Sequence, residues 1–152
     1  ARDSGIDGFI LPDMSIEESE EYTRISHELG LASIFIVSPN TDDNRVRRIM
    51  KVSSGFLYAV SVYGVTGVRN MLYDRSIKRI VELRKNSNSS LPVAVGFGVQ
   101  KLDHVSMMVA AGADAIIMGS ALINIMKTSE HNPNMLKDLY DFVRRMKNAC
   151  RY

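Results

Sequence analysis

Glycine gathers at three places in this sequence where an apolar, strand-like run has just ended. The stretches are Gly64-Val65-Thr66-Gly67, Gly96-Phe97-Gly98 and Gly119-Ser120. Glycine lets a backbone approach an oxyanion closely and adopt positive φ, so that successive N–H groups converge on one ligand. The residues after Gly119, Ala121 to Met126, read as a short helix. Its N-terminus adds free N–H groups and a partial positive charge. The chemistry this implies is phosphate binding by backbone donors. One glycine at a strand end is usually only a turn; repetition in successive units, with the last opening a helix, is what raises the signal above a turn. No Walker-type Gly-Lys-Ser/Thr is present, and Gly96-Phe97-Gly98 lacks the later glycine and helix context of a dinucleotide fingerprint. No cofactor is therefore expected. Ser120 has no partnered base near it in sequence, so it reads as a phosphate donor and not as a nucleophile.

The remaining reactive side chains are more scattered. Asp13 follows an apolar run and reads either as a pocket-lining carboxylate or as a turn or capping residue after Pro12. Asp42 and Asp43 read as helix-start residues, and Glu17 to Glu21 as a solvated first turn with a favourable dipole interaction. His27, His104 and His131 show no metal-ligand spacing, so no metal is expected. Tyr58, at a strand end, is either a packed aromatic or a substrate contact. Cys150 sits in a last helical turn and reads as inert.

The elements that must position these residues alternate along the chain. Five apolar runs, Gly8 to Leu11, Ala32 to Val37, Phe56 to Ser61, Pro92 to Gly96 and Ala115 to Met118, are rich in Val, Ile and Phe. Strands buried on both faces of a parallel sheet read this way. The stretches between them carry helical periodicity. Ser15 is expected to N-cap the first, with Glu18 at the reciprocal capping-box position; that helix runs to about Leu29 and stops at Gly30. Val46, Ile49 and Met50 mark one face of a second, from Asp42 to Val52. Ile77, Ile80, Val81 and Arg84 mark a third, and Val105, Met108 and Val109 a fourth that ends at Gly112. A last helix runs from about Pro133 to Cys150, the proline suiting its first turn. The nine methionines mostly fall on helix faces and read as core filler. Asn86 to Ser90 is a polar turn.

Strand starts recur about every 22–25 residues, with one longer gap of about 36, enough for a right-handed crossover each time. An open doubly wound sheet and part of a (β/α)8 barrel both fit this order. In both, ligands sit at the C-terminal ends of the strands. Barrels commonly build a phosphate site from their last two loops and an added helix, which favours the barrel. On that reading residues 1–152 are a single domain, the C-terminal part of a parallel (β/α)8 TIM barrel. It holds about five βα units, strands four to eight. Roughly 80–100 residues of earlier units are expected before Ala1, since such barrels need about 250.

Composition is compatible with this. The chain has 152 residues, 45 % hydrophobic and 24 % charged, with a net charge of +2. That is ordinary for a globular domain, and Lys and Arg are spread along it, so neither nucleic acid nor a membrane surface is an expected partner. A lone cysteine forms no internal disulfide, and no signal peptide or apolar run of roughly 18 residues is present, so a cytoplasmic location is expected.

At its loops the chain resembles the alpha chain of tryptophan synthase, in an archaeal-like form. The segments that carry this are Gly5-Ile6-Asp7-Gly8 with Pro12-Asp13 and Glu17-Glu18-Ser19, Phe35-Ile36-Val37-Ser38-Pro39-Asn40-Thr41, and Phe56-Leu57-Tyr58 with Ser61-Val62-Tyr63-Gly64-Val65-Thr66-Gly67. Val95-Gly96-Phe97-Gly98-Val99 and Gly112-Ala113-Asp114-Ala115 with Gly119-Ser120-Ala121 complete it. Many bacterial members carry arginine where this chain has Val62, which puts in doubt any ordering of that loop through an arginine; Tyr63-Gly64 is nearer the archaeal pattern.

The resemblance implies a carbon–carbon lyase of tryptophan biosynthesis, cleaving indole-3-glycerol phosphate to indole and glyceraldehyde 3-phosphate. It implies phosphate binding at Gly67, Gly98, Gly119 and Ser120, and contact with the rest of the substrate at Tyr58, Gly64, Thr66 and Phe97. The family's catalytic glutamate and aspartate belong to the second barrel unit and are expected before Ala1, so this chain alone is expected to be inactive. The family's partner is the tryptophan synthase beta chain. Two alternatives stand beside this reading: another phosphate-binding TIM-barrel isomerase or synthase, and a non-catalytic barrel fragment. An incomplete barrel also leaves sheet edges near Phe9–Leu11 and Ala115–Met118, through which self-association is expected.

Overall fold

The computed structural model describes residues 1–60, 69–87, 91–96, 99, 101–129 and 132–151, with backbone alone for 69–73. After a 3₁₀ turn at Arg2–Ser4 the elements are β1 (Gly8–Ile10), α1 (Glu20–Glu28), β2 (Ala32–Ile34), β3 (Ile36–Val37), α2 (Asp43–Val52), β4 (Leu57–Val60) and α3 (Arg69–Asn86). They continue with β5 (Val93–Gly96), α4 (Leu102–Ala110), β6 (Ala115–Ile117), α5 (Ser120–Thr128) and α6 (Met135–Ala149). Every strand pairing is parallel: β1 with β2, and β3, β4, β5 and β6 in that order. The alternation of strand and helix expected from the apolar runs is present.

One expected strand is interrupted. The run Ala32 to Val37 divides at Phe35 into β2 and β3, which pair with different neighbours. The reason lies on the β4 side. There, Ser33 exchanges hydrogen bonds with Ser54: its N–H donates to Ser54 Oγ at 2.8 Å, and its carbonyl accepts from Ser54 N–H at 2.9 Å. Ladder pairing with β4 starts only at Phe35, whose carbonyl accepts from Tyr58 N–H at 3.1 Å. The strand therefore changes ladder partner at Phe35.

The core lies between the sheet and the helices. Leu57 and Ala59 of β4 and Val93 and Val95 of β5 alternate toward the helix layer, where Val46, Ile49, Ile80, Leu83, Val105, Met108 and Met146 meet them. Leu57, Val93, Leu83 and Met108 are fully buried. Each such side chain contributes about 1.5–3 kcal/mol by removing apolar surface from water. Met50 and Met118 pack against this core, but Met107 and Met126 are exposed, so the core-filler reading of the methionines holds only in part.

The helix ends match the sequence unevenly. Asp42 caps α2, its carboxylate accepting from Arg45 N–H at 3.0 Å. Gly30 follows α1 at φ 66, the left-handed stop that glycine tolerates. The expected start of α1 was too early. Ser15 Oγ does reach Glu18 Oε2 at 2.8 Å, but within a separate turn; the helix begins at Glu20, with Ser19 at its N-cap. The buried Ser19 hydroxyl bonds back to Ile16 O and so anchors that turn. Pro133 lies two residues before α6, not in its first turn, and α5 runs to Thr128, beyond the expected Met126.

At the other end of the strands, Asp114 holds the sheet. Its Oδ2 accepts from Val93 N–H at 2.8 Å and from Arg84 at 3.2 Å. It precedes β6 and joins the N-terminal ends of β5 and β6, the face that carries stability in such folds.

Candidate functional site

Parallel pairing brings the C-terminal ends of all strands to one rim. Register fixes who shares it: Val60 pairs with Gly96, and Gly96 with Ile117, two residues before Gly119. Gly119 is the N-cap residue of α5 and Ser120 its first helical residue, with Ile123 N–H bonded to Gly119 O at 3.1 Å. The N–H groups of Ser120, Ala121 and Leu122 precede the first intrahelical donor and point out of the helix. Among the described residues, nothing lies within 4 Å of a side-chain Cβ built at Gly119. Together these features make a place where an anionic group can approach backbone donors.

Tyr58 lies on the face of β4 opposite Leu57 and Ala59, in register with Ile36 and Ala94. Its ring leans over Gly96: a Cβ there would stand 2.7 Å from both Tyr58 Cε2 and Tyr58 Oη, and 3.0 Å from Ile117 Cβ. Gly96 is thus required by a packed aromatic, a role its place in a glycine-rich stretch did not reveal. Burial raises the Tyr58 hydroxyl above its ordinary pKa of 10.0, so it stays protonated near neutrality.

Of the residues named from sequence, Gly119 and Ser120 stand on this rim, while Tyr58 lies inside β4, two residues before its C-terminal end, and not at the strand end expected. Gly64, Thr66, Gly67, Phe97 and Gly98 lie outside the described residues, as does His131. Asp13 follows β1 and lines a separate cleft of about 270 Å³, together with Pro12, Ser15, Phe35, Ile36 and Thr41. His27 is exposed on α1, and burial lowers the pKa of His104 on α4. Among the described residues no group of His, Cys, Asp or Glu is arranged to hold a metal, and no helix is long and apolar enough to cross a membrane. Cys150 is free and exposed at the end of α6.

The rim is braced by ion pairs that periodicity did not disclose. Glu17, read from sequence as part of a solvated helical turn, precedes α1 and binds Arg45 in a bidentate pair at 2.9 and 3.1 Å, and Arg48 at 3.1 Å. A hydrogen bond from its own backbone N–H is the main influence holding its carboxyl below the usual range; desolvation opposes it, and the Arg45 and Arg48 guanidiniums lower it further. The i, i+3 charge spacing within one helix carries no signal for such a pair between elements.

Parallel strands alternating with helices, each strand leading into the next helix, place the protein in the α/β class that includes the TIM barrels. Comparison with known proteins makes this specific. The tryptophan synthase alpha chain family matches residues 1–151, and the chain belongs to that family. It is 40 % identical over 149 residues to the tryptophan synthase alpha chain of Pyrococcus abyssi, covering 96 % of this chain and 57 % of that protein. It is 34 % identical over 148 residues to the Arabidopsis thaliana alpha chain, covering 97 % and 53 %. The chain therefore spans little more than half the length of the relatives it matches. Among solved structures, the α2β2 tryptophan synthase complex of Pyrococcus furiosus superposes with a TM-score of 0.84 at 32 % identity, covering 97 % of this chain and 58 % of that one.

Proposed function

We propose that this chain supplies the phosphate-binding and indole-facing part of a tryptophan synthase alpha activity, a lyase that cleaves indole-3-glycerol phosphate. The observation that carries the proposal is the N-terminus of α5 at Gly119 and Ser120, which no side chain caps, following the Gly96–Ile117 pair within a family match that spans residues 1–151. Its donors hold the substrate phosphate, joined by Gly67 and Gly98. Tyr58, Gly64, Thr66 and Phe97 surround the indole and glycerol portions. The anchored phosphate fixes the glycerol chain, so that the bond joining it to the indole ring lies over the sheet. Proton transfer belongs to the family's glutamate and aspartate, which the resemblance places outside these residues. General acid–base groups commonly supply about 10²–10⁴-fold each, so indole release by the 152-residue chain alone falls below detection. The partner is a tryptophan synthase beta chain, as in the Pyrococcus furiosus complex.

Calorimetric titration with glycerol phosphate tests the site. Binding is expected for the unaltered chain and lost in Gly119→Glu, which places a carboxylate before the donors. Equal affinity in a folded Gly119→Glu variant overturns the assignment. Robust indole release by the pure chain overturns the placement of the acid and base.

A further inference from the structure

The loop between β3 and α2, residues 38–42, is held from outside by one side chain of the next helix. Arg79 lies on α3 with its side chain 13 % exposed. One terminal nitrogen, Nη2, donates to Thr41 O at 2.7 Å and more weakly to Pro39 O at 3.4 Å. The other, Nη1, meets Asp43 Oδ1 at 2.9 Å and Glu82 Oε2 at 3.1 Å. Nε is buried and has no partner among the described residues. A planar fork spans two carbonyls and a carboxylate at once; an ammonium does not.

What Arg79 holds has a defined internal geometry. Thr41 Oγ1 accepts from Ser38 N–H at 3.0 Å, and Thr41 N–H donates to Ser38 O at 3.1 Å. Asp42 then caps α2 through Arg45 N–H. Thr41 is a wall of the cleft that contains Asp13, so its position sets the width of that cleft. The opposite wall, the Leu11–Ile16 segment, is braced through Glu17 to Arg45 and Arg48 of α2. These two segments are thus each pinned by arginine from the helix of the next unit along the chain.

We infer that Arg79 is a positioning residue that fixes the loop of residues 38–42, and with it the Thr41 wall of the Asp13 cleft, at the ligand-bearing rim. Its importance for substrate rests on the functional reading above; its action on the loop does not. The Asp43 carboxyl is held below its ordinary range by the Arg79 hydrogen bond and charge, against desolvation, with smaller help from Arg47 and Lys78. That makes Asp43 a reporter of the clamp.

Amide exchange and carboxyl titration by NMR on the full chain test this, with Arg79→Met, Arg79→Lys and Glu82→Gln. In Arg79→Met the Ser38, Thr41 and Arg45 amides should exchange at least about tenfold faster, since charged hydrogen bonds are lost, while amides of β4 and β5 keep their rates. Asp43 should titrate closer to 3.8. Arg79→Lys should keep the Asp43 depression yet leave the Thr41 amide fast, because a point charge does not replace the fork. Glu82→Gln, which touches Nη1 but no atom of the loop, should leave the Ser38 and Thr41 amides slow, because Nη2 still holds the Thr41 carbonyl. Exchange that rises uniformly with global stability, or an Asp43 titration unmoved by Arg79→Met, overturns the inference. If Arg79→Met does not fold, Arg79→Lys decides: full protection of Thr41 in that variant overturns it. Failure of the unaltered chain to bind glycerol phosphate overturns the functional reading alone, because the exchange results stand without ligand.

Discussion

Replacing Gly96 with alanine pits backbone entropy against packing. Gly96 lies in β5, where every residue is buried, and its backbone is not among the positive-φ glycines, so alanine meets no dihedral penalty. By backbone preference alone the change stabilises a strand by about 0.5–1 kcal/mol. The new Cβ, however, would stand 2.7 Å from Tyr58 Cε2 and Oη and 3.0 Å from Ile117 Cβ. The Tyr58 ring is rigid and swings only as a whole, and Ile117 Cβ is fixed to paired backbone. Overpacking of this kind costs about 1–3 kcal/mol, so the net result is a loss of about 1–2 kcal/mol. Urea denaturation of Gly96→Ala, Tyr58→Leu and the double variant reads the sign and its origin. Removing the far half of the ring should relieve most of the alanine's cost, a coupling on the order of 1 kcal/mol. A Gly96→Ala protein as stable as the unaltered chain or more so, with effects additive with Tyr58→Leu, would refute the reasoning.

Three further outcomes are expected. Asp114→Ala strands the buried Val93 N–H and frees Arg84, so unfolding free energy should fall by about 1–3 kcal/mol in denaturant titration, with Asp114→Asn losing less. Asp43 and Glu17 both have folded pKa values lowered by hydrogen bonds and arginines; their stabilisation is therefore complete above the unfolded carboxyl range and is lost as pH falls below about 4. A thermal-melt series from pH 6 to roughly 3 should show this, more weakly in high salt because both carboxylates face solvent; a midpoint independent of pH there would count against these pairs. Among the described residues β1 and β6 each pair on one side only, and α6 exposes Leu136, Tyr140 and Val143. Sedimentation at several concentrations should show association, reduced by Leu136→Lys with Tyr140→Lys; a monomer at high concentration would show that these surfaces do not associate.

Sequence by itself determined the order of elements. Strands covered on both faces must be apolar throughout, so Leu57–Val60 and Val93–Gly96 were legible, and Asp42 announced α2 because a capping carboxylate acts within three residues of itself. The Gly119–Ser120 opening of α5 was legible for the same local reason. The tertiary structure alone decided matters between elements. Ser54 takes one edge of β2, so ladder pairing with β4 begins only at Phe35. Tyr58 claims the space that makes Gly96 necessary. Glu17 meets Arg45 and Arg48, and Arg79 crosses to Thr41 and Asp43, between positions 28 to 38 residues apart. Periodicity reports which face of an element is apolar. It carries no record of which neighbour will stand against that face, and a charged side chain gains its role only when packing supplies its partner.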